Sequence, residues 1–150
     1  MKTFKLLWVE DDHNDLDPIL FPLKHAGVLV EPCSSLEGAL ERISHGIEQY
    51  NAILIDLILP KTDDEHDTRT WQERTPYQNI NFNAHLLGVE LIRFIRQAVS
   101  KTIPIVVLSV VNDPEISKVL GEFSVKDFLY KSPNVTNKAV CKALMEAMES

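Results

Sequence analysis

The sequence predicts an α/β fold of five βα units, (βα)5, built as a doubly wound parallel five-stranded sheet. Three observations carry this expectation. Short apolar runs alternate along the chain with segments of helical spacing. The runs are nearly continuous in Val, Ile, Leu or aromatic residues, which marks strands covered on both faces. Helix-start residues stand between several of them. Alternation of this kind gives a parallel sheet with right-handed crossovers, and ligands of such sheets sit beyond the carboxyl ends of the strands.

The elements follow in order. Phe4 to Val9 is the first strand candidate, and Leu16, Ile19, Leu20 and Leu23 then fall at helical spacing. Pro18 suits a first helical position, but Pro22 removes a hydrogen bond one turn in, so this helix is expected to start late or bend. Val28 to Glu31 is the second strand. Ser34 with Glu37 reads as a capping box that opens a helix through Leu36, Ala39, Leu40 and Ile43. Ala52 to Asp56 is the third strand, and beyond a long polar segment Leu87, Leu91, Ile92 and Ile95 mark the third helix. Ile105 to Ser109 is the fourth strand. Asp113-Pro114 places a capping residue before a proline at the first helical position, ahead of Ile116, Val119 and Leu120. Asp127 to Tyr130 is the fifth strand, and Val140, Ala143, Leu144, Ala147 and Met148 form the closing helix.

Length and composition bound what such a chain does. With 150 residues, 45% apolar and 25% charged, it is expected to be a single domain spanning 1–150 with a sizeable core. A net charge of -7 argues against nucleic acid or an anionic membrane as a direct partner, because both are bound by basic surface. Cys33 and Cys141 lie far apart without CxxC spacing, as reduced thiols of a cytoplasmic protein do. The first apolar run ends at Val9 and is followed by Glu10, Asp11 and Asp12, so it is too short for a signal peptide or a membrane span. A cytoplasmic location is the expectation, with Asn134-Val135-Thr136 an accident of composition.

One residue resists a purely structural reading. Asp56 ends an otherwise apolar run, "YNAILIDLILP", and an ionised carboxylate there costs several kcal/mol unless it is paired or bound to a cation. Glu10, Asp11 and Asp12 follow the first strand, Ser109 closes the fourth and Lys131 follows the fifth, so all face one edge of the sheet. Clustered carboxylates repel and call for a cation, and hard oxygen ligands suit magnesium. Lys131 and Ser109 are placed to bind an anion beside it. A carboxylate nucleophile, a divalent cation, a lysine and a hydroxyl are the parts needed for phosphoryl transfer to an aspartate.

In this arrangement the chain resembles the receiver domain of two-component response regulators. The matching pieces are "LLWVEDD", "ILIDLILP", "GVELIRFIR", "IPIVVLS" and "VKDFLYKSP", which occur in the family's order at the expected strand ends. The resemblance implies a flavodoxin-like sheet of strand order 2-1-3-4-5. It also implies a stand-alone phosphorelay signalling protein that takes a phosphoryl group on Asp56 from a phosphohistidine donor, with Mg2+ as cofactor. Its partners would be a sensor histidine kinase or phosphotransfer protein and a downstream protein. No separate substrate would be turned over, since receivers catalyse only their own phosphorylation and dephosphorylation. Carried over residue by residue, Asp11 is a direct metal ligand, Glu10 a second acidic partner, and the main-chain carbonyl of Ile58 completes the protein's share of the metal shell beside Asp56. Lys131 neutralises the phosphoryl oxygens, Ser109 hydrogen-bonds one of them after transfer, and Phe128 matches the aromatic switch. Ile58 and Val111 occupy the two positions that tune the lifetime of the phosphorylated state.

Two departures stand out. The family's proline directly after the lysine is displaced by Ser132, and a cis Lys131-Ser132 bond would cost about 2.5–4 kcal/mol, which leaves that turn open. The glycine expected shortly after the phosphoacceptor corresponds to Gly88, so a segment at about 61–86 is inserted. It is acidic at first and then carries Trp71, Tyr77 and Phe82. It reads either as a surface loop or as a lid or docking element beside the site. His66 with Asp63, Asp64 and Asp67 reads as a solvated acidic run rather than a second metal site. Two other functions remain as alternatives. One is a pseudo-receiver that binds proteins without being phosphorylated. The other is a phosphohydrolase with an aspartyl nucleophile, for which the haloacid-dehalogenase-like pattern wants an acidic residue where Ile58 stands.

Overall fold

The computed structural model describes residues 3–11, 17–61, 86–131 and 135–149. Five strands form one sheet: β1 (Lys5–Val9), β2 (Leu29–Cys33), β3 (Ala52–Ile55), β4 (Ile105–Ser109) and β5 (Asp127–Tyr130). They are all parallel and lie in the order β2-β1-β3-β4-β5. The α-helices among the described residues are α1 (Phe21–His25), α2 (Leu36–Ser44), α3 (Leu87–Phe94), α4 (Pro114–Glu122) and α5 (Asn137–Glu149).

Strand alternation divides the core into two layers. Leu7, Val9, Ile53, Ile55, Ile105 and Val107 pack with Ala39 and Ile43 of α2, Val89 and Ile92 of α3, and Ile116 and Leu120 of α4. Leu6, Trp8, Ala52, Leu54, Val106 and Leu108 pack on the other side with Leu20, with Leu23 of α1 and with Val140 and Leu144 of α5. Both faces of β1, β3 and β4 are therefore buried, as their continuous apolarity predicts. β2 and β5 are the edges and depart from that expectation: Leu29 and Tyr130 are exposed. The pairing Val9↔Cys33 also carries β2 two residues past Glu31, through Pro32. An edge strand tolerates this proline, since a nitrogen pointing away from the sheet has no ladder bond to lose. The edge is further held by Glu31, which accepts a hydrogen bond from the Tyr50 hydroxyl and lies near Lys5 and Arg42.

Local rules set most helix boundaries. Among the described residues the first helical segment comprises a 3-10 turn over Asp17–Leu20 and then α1, with Pro22 in its first turn; the residues just before Asp17, where a late start would show, lie outside the described ones. Asp113 caps α4 through a hydrogen bond from the Glu115 N–H, with Pro114 at the first position. For α2 the cap is Ser35, whose hydroxyl accepts from the Gly38 N–H at 3.0 Å, and not Ser34 as the capping-box reading has it. The register is fixed from outside the helix. The N–H groups of Leu36 and Glu37 donate to the carbonyls of Pro60 and Lys61, so the chain beyond β3 satisfies the first turn of α2.

α3 runs on into a π turn, Ile95–Val99, closed by the Ser100 N–H donating to the Ile95 carbonyl at 2.7 Å. Buried Arg96 fixes this turn. Its guanidinium donates to the carbonyls of Phe123, Ser100 and Ser124, tying the end of α3 to the end of α4.

Candidate functional site

The site residues are placed by strand ends. The Glu10 N–H donates to the Cys33 carbonyl and the Asp56 N–H to the Val9 carbonyl, both at 2.9 Å. Sheet pairing thus continues one residue past β1 and past β3 and holds two carboxylates side by side. On the other flank the Lys131 N–H donates to the Ser109 carbonyl at 2.7 Å, which sets the lysine at the same edge.

The side chains then meet. Lys131 Nζ lies 2.7 Å from Glu10 Oε2 and 2.9 Å from Asp56 Oδ2, with both carboxylates about 1% exposed. Burial raises the Glu10 carboxyl well above its ordinary range; the neighbouring Asp56 charge adds to this, and Lys131 offsets it only in part. For Lys131, burial opposes the ammonium, yet Asp56 and Glu10 outweigh it and the pKa is raised. The lysine is therefore held as a cation at neutral pH. Three carboxyl groups, Glu10, Asp11 and Asp56, thus crowd beside one ammonium, and a bound divalent cation would relieve that crowding.

The donor set fits a hard divalent ion. One carboxylate oxygen from each of Glu10, Asp11 and Asp56 lies within 4.8 Å of the others. Oxygens on opposite sides of a magnesium ion stand about 4.2 Å apart, given bonds of about 2.1 Å, so a small side-chain adjustment closes the set. Asp56 also accepts from the Ile58 N–H at 3.1 Å, which turns the loop after β3 back over the carboxylate.

Ser109 is fully buried, and its hydroxyl accepts from the Val111 N–H at 3.3 Å; among the described residues no hydrogen bond joins it to the carboxylates. Phe128 is half-buried against the α2–α4 core layer. Ile58 and Val111 are both buried and apolar. Asp12, the Lys131-Ser132 turn and the segment 62–85, with His66, Trp71, Tyr77 and Phe82, lie outside the described residues.

Gly88 has a role beyond register that spacing alone does not show. A Cβ there would stand 2.3 Å from the Asp56 carbonyl oxygen and 2.5 Å from the Leu57 Cα. The Gly88 N–H donates to the Leu57 carbonyl at 3.0 Å. However long the intervening segment, the start of α3 returns to touch the backbone of the residue after Asp56, and only glycine permits that approach. Two further features had no local signal: the Pro60 and Lys61 carbonyls that cap α2, and Arg96, which looks like a solvated residue on a helical stretch.

Cys33 and Cys141 are free and buried. Among the described residues no helix is long and apolar enough to cross a membrane.

No family model matches the chain in sequence, and neither does any curated protein. Solved structures do match. A CheY-like response regulator receiver domain protein from Methanospirillum hungatei JF-1 superposes with a TM-score of 0.72 at 17% identity, covering 99% of this chain and 95% of its own. The chemotaxis response regulator CheY4 of Vibrio cholerae gives a TM-score of 0.67 at 20% identity, with 97% and 99% covered. The BeF3-activated N-terminal receiver domain of RstA from Klebsiella pneumoniae gives 0.68 at 20% identity, with 97% and 99% covered. With the sheet order 2-1-3-4-5 and helices on both faces, the chain has the CheY-like fold of response-regulator receiver domains.

Proposed function

We propose that the chain is a phosphorelay signalling protein whose Asp56 accepts a phosphoryl group from a phosphohistidine donor. The observation that carries this reading is the buried triad of Glu10, Asp56 and Lys131, with Asp11 beside it, at the carboxyl edge of a receiver fold. A buried lysine bridging two carboxylates is a poor stabilising device compared with apolar packing, so its presence at a ligand edge favours a chemical role.

The transfer is a displacement at phosphorus. An Asp56 carboxylate oxygen forms the new P–O bond, the P–N bond to the donor imidazole breaks, and its electron pair returns to the ring nitrogen. Lys131, now paired with Asp56, is placed to follow the charge onto the phosphoryl oxygens. Glu10, Asp11, Asp56 and the Ile58 carbonyl would hold Mg2+, which when bound neutralises phosphoryl charge. The donor is a sensor histidine kinase or phosphotransfer protein, and the readout is a surface change recognised by a downstream protein. In this reading the chain acts in the cytoplasm and turns over no separate substrate.

The test is direct. Incubation with magnesium and acetyl phosphate or phosphoramidate is expected to add one phosphoryl mass to the protein, and Asp56→Asn to abolish it. Undiminished labelling of the variant would remove Asp56 from this role. A wild-type chain that takes no label from any donor would instead support the pseudo-receiver reading.

A further inference from the structure

The α2–α3 side of the molecule carries a groove of about 640 Å³ that the phosphoryl chemistry does not use. Leu40 and Ile43 of α2 form one wall, Phe94 and Val99 the other, and Glu37 and Glu41 line its rim. Phe94 is 44% exposed and Val99 36%, two of the five large apolar side chains left exposed among the described residues.

Their alignment has a specific cause. Residues five apart do not share a face of an α-helix, but the i→i+5 bonding of the π turn over Ile95–Val99 brings residues of that spacing to one side. Buried Arg96 holds the turn in that form through its three carbonyl acceptors. The groove is thus built by a fixed backbone feature.

Its charge selects the partner. Glu37 and Glu41 are both exposed and stand at i,i+4, where like charges repel. Among the described residues no cation forms an ion pair with either, and no lysine or arginine lines the groove. A ligand that brings cations alongside an apolar stripe relieves that repulsion and covers Phe94 and Val99 together. A trough between two helices is filled by a third with anchors at i, i+3 and i+7.

We infer that the α2–α3 groove is a docking site for a basic amphipathic helix of a partner protein, seated on Phe94 and Val99 and paired with Glu37 and Glu41. The inference is independent of phosphorylation at Asp56, and its test uses no phosphodonor.

The probe is a fluorescein-labelled amphipathic peptide with leucines at i, i+3 and i+7 flanked by lysines, titrated with the full chain by anisotropy. Binding is expected. Phe94→Ser and, separately, Glu37→Gln with Glu41→Gln are each expected to weaken it about tenfold, a loss well above titration error. Circular dichroism is expected to show each variant folded at the temperature of the titration, which separates lost binding from lost structure. A peptide with the same leucines and glutamate flanks is expected not to bind the wild type, and binding equal to that of the basic peptide overturns the inference. Failure of the basic peptide to bind, or binding that ignores both variants, overturns the inference. So does a concentration-dependent dimer of the wild type that Phe94→Ser dissolves, because it names a second copy of the chain as the occupant.

Discussion

Asp56 is held by a backbone bond to Val9 and a side-chain bond from Ile58, so the residues beside it are as fixed as the carboxylate itself. This bears on how long a phosphoryl group would stay. Ile58 and Val111 are both buried and branched, and neither side chain offers a hydrogen bond to a water approaching the phosphorus. Without a polar group to orient it, that water loses positioning in the transition state while Lys131 and the acidic cluster are untouched. Slow self-dephosphorylation is the expected outcome. The decay of labelled protein after donor removal, with magnesium present, is to be compared among wild type, Ile58→Asn and Ile58→Asn with Val111→Thr. The variants are expected to decay several-fold faster, and equal decay would show that these side chains do not set the lifetime. A urea titration of each variant separates faster hydrolysis from lost structure, since a hydroxyl buried at position 111 costs stability even in the shape of valine.

At the scale of elements, the joint between β3 and α3 decides whether Asp56 is presented correctly. Gly88 sits against the carbonyl of Asp56 itself, so Gly88→Ala forces the start of α3 or the end of β3 to shift. Overpacking of this kind costs about 1–3 kcal/mol. The variant is expected to unfold at lower urea and also to label more slowly with acetyl phosphate under conditions where it remains folded. Wild-type stability would show that the backbone yields without cost. The same joint shows what was legible in the sequence. β4 and β5 follow from apolarity alone with the observed ends, and α4 from Asp113-Pro114, because those signals are local. The cap of α2 moved from Ser34 to Ser35 because the deciding partners, Pro60 and Lys61, lie more than twenty residues away. β2 outran its apolar stretch because pairing with β1 carries an edge strand through a proline that composition counts against it. The cluster of Glu10, Asp11, Asp56 and Lys131 was legible because strand ends in a parallel sheet share an edge, whereas Arg96 was not, since nothing local distinguishes a buried guanidinium from a solvated one.

Across the whole molecule, Ser109 is where the chemistry at one edge meets the surface beyond it. Its carbonyl holds the Lys131 N–H, its hydroxyl holds the Val111 N–H, and it pairs in register with exposed Tyr130. A phosphoryl group on Asp56 presents oxygens that compete for the Lys131 ammonium and for the Ser109 hydroxyl as a donor. Turning that hydroxyl toward Asp56 releases the buried N–H of Val111, and leaving it unmet costs about 1–3 kcal/mol, so the chain between β4 and α4 has to rearrange. Phe128, one residue before the Leu108↔Leu129 pair and two before Ser109↔Tyr130, stands opposite Val107 and packs half-buried on the core layer that holds α4. The change therefore runs toward α4 and β5, whereas β2 and α2, on the far side of β1 and β3, share none of these bonds. Amide chemical shifts recorded before and after phosphoramidate with magnesium are expected to move most between Ser109 and Lys131 and least between Leu29 and Ser44, beyond those directly at the site. The Asp56→Asn chain should show no such change under the same additions. Shifts confined to Asp56 and its immediate neighbours would mean that the phosphoryl group is held without switching the α4–β5 face. The two-state surface that a downstream partner has to read would then lie elsewhere.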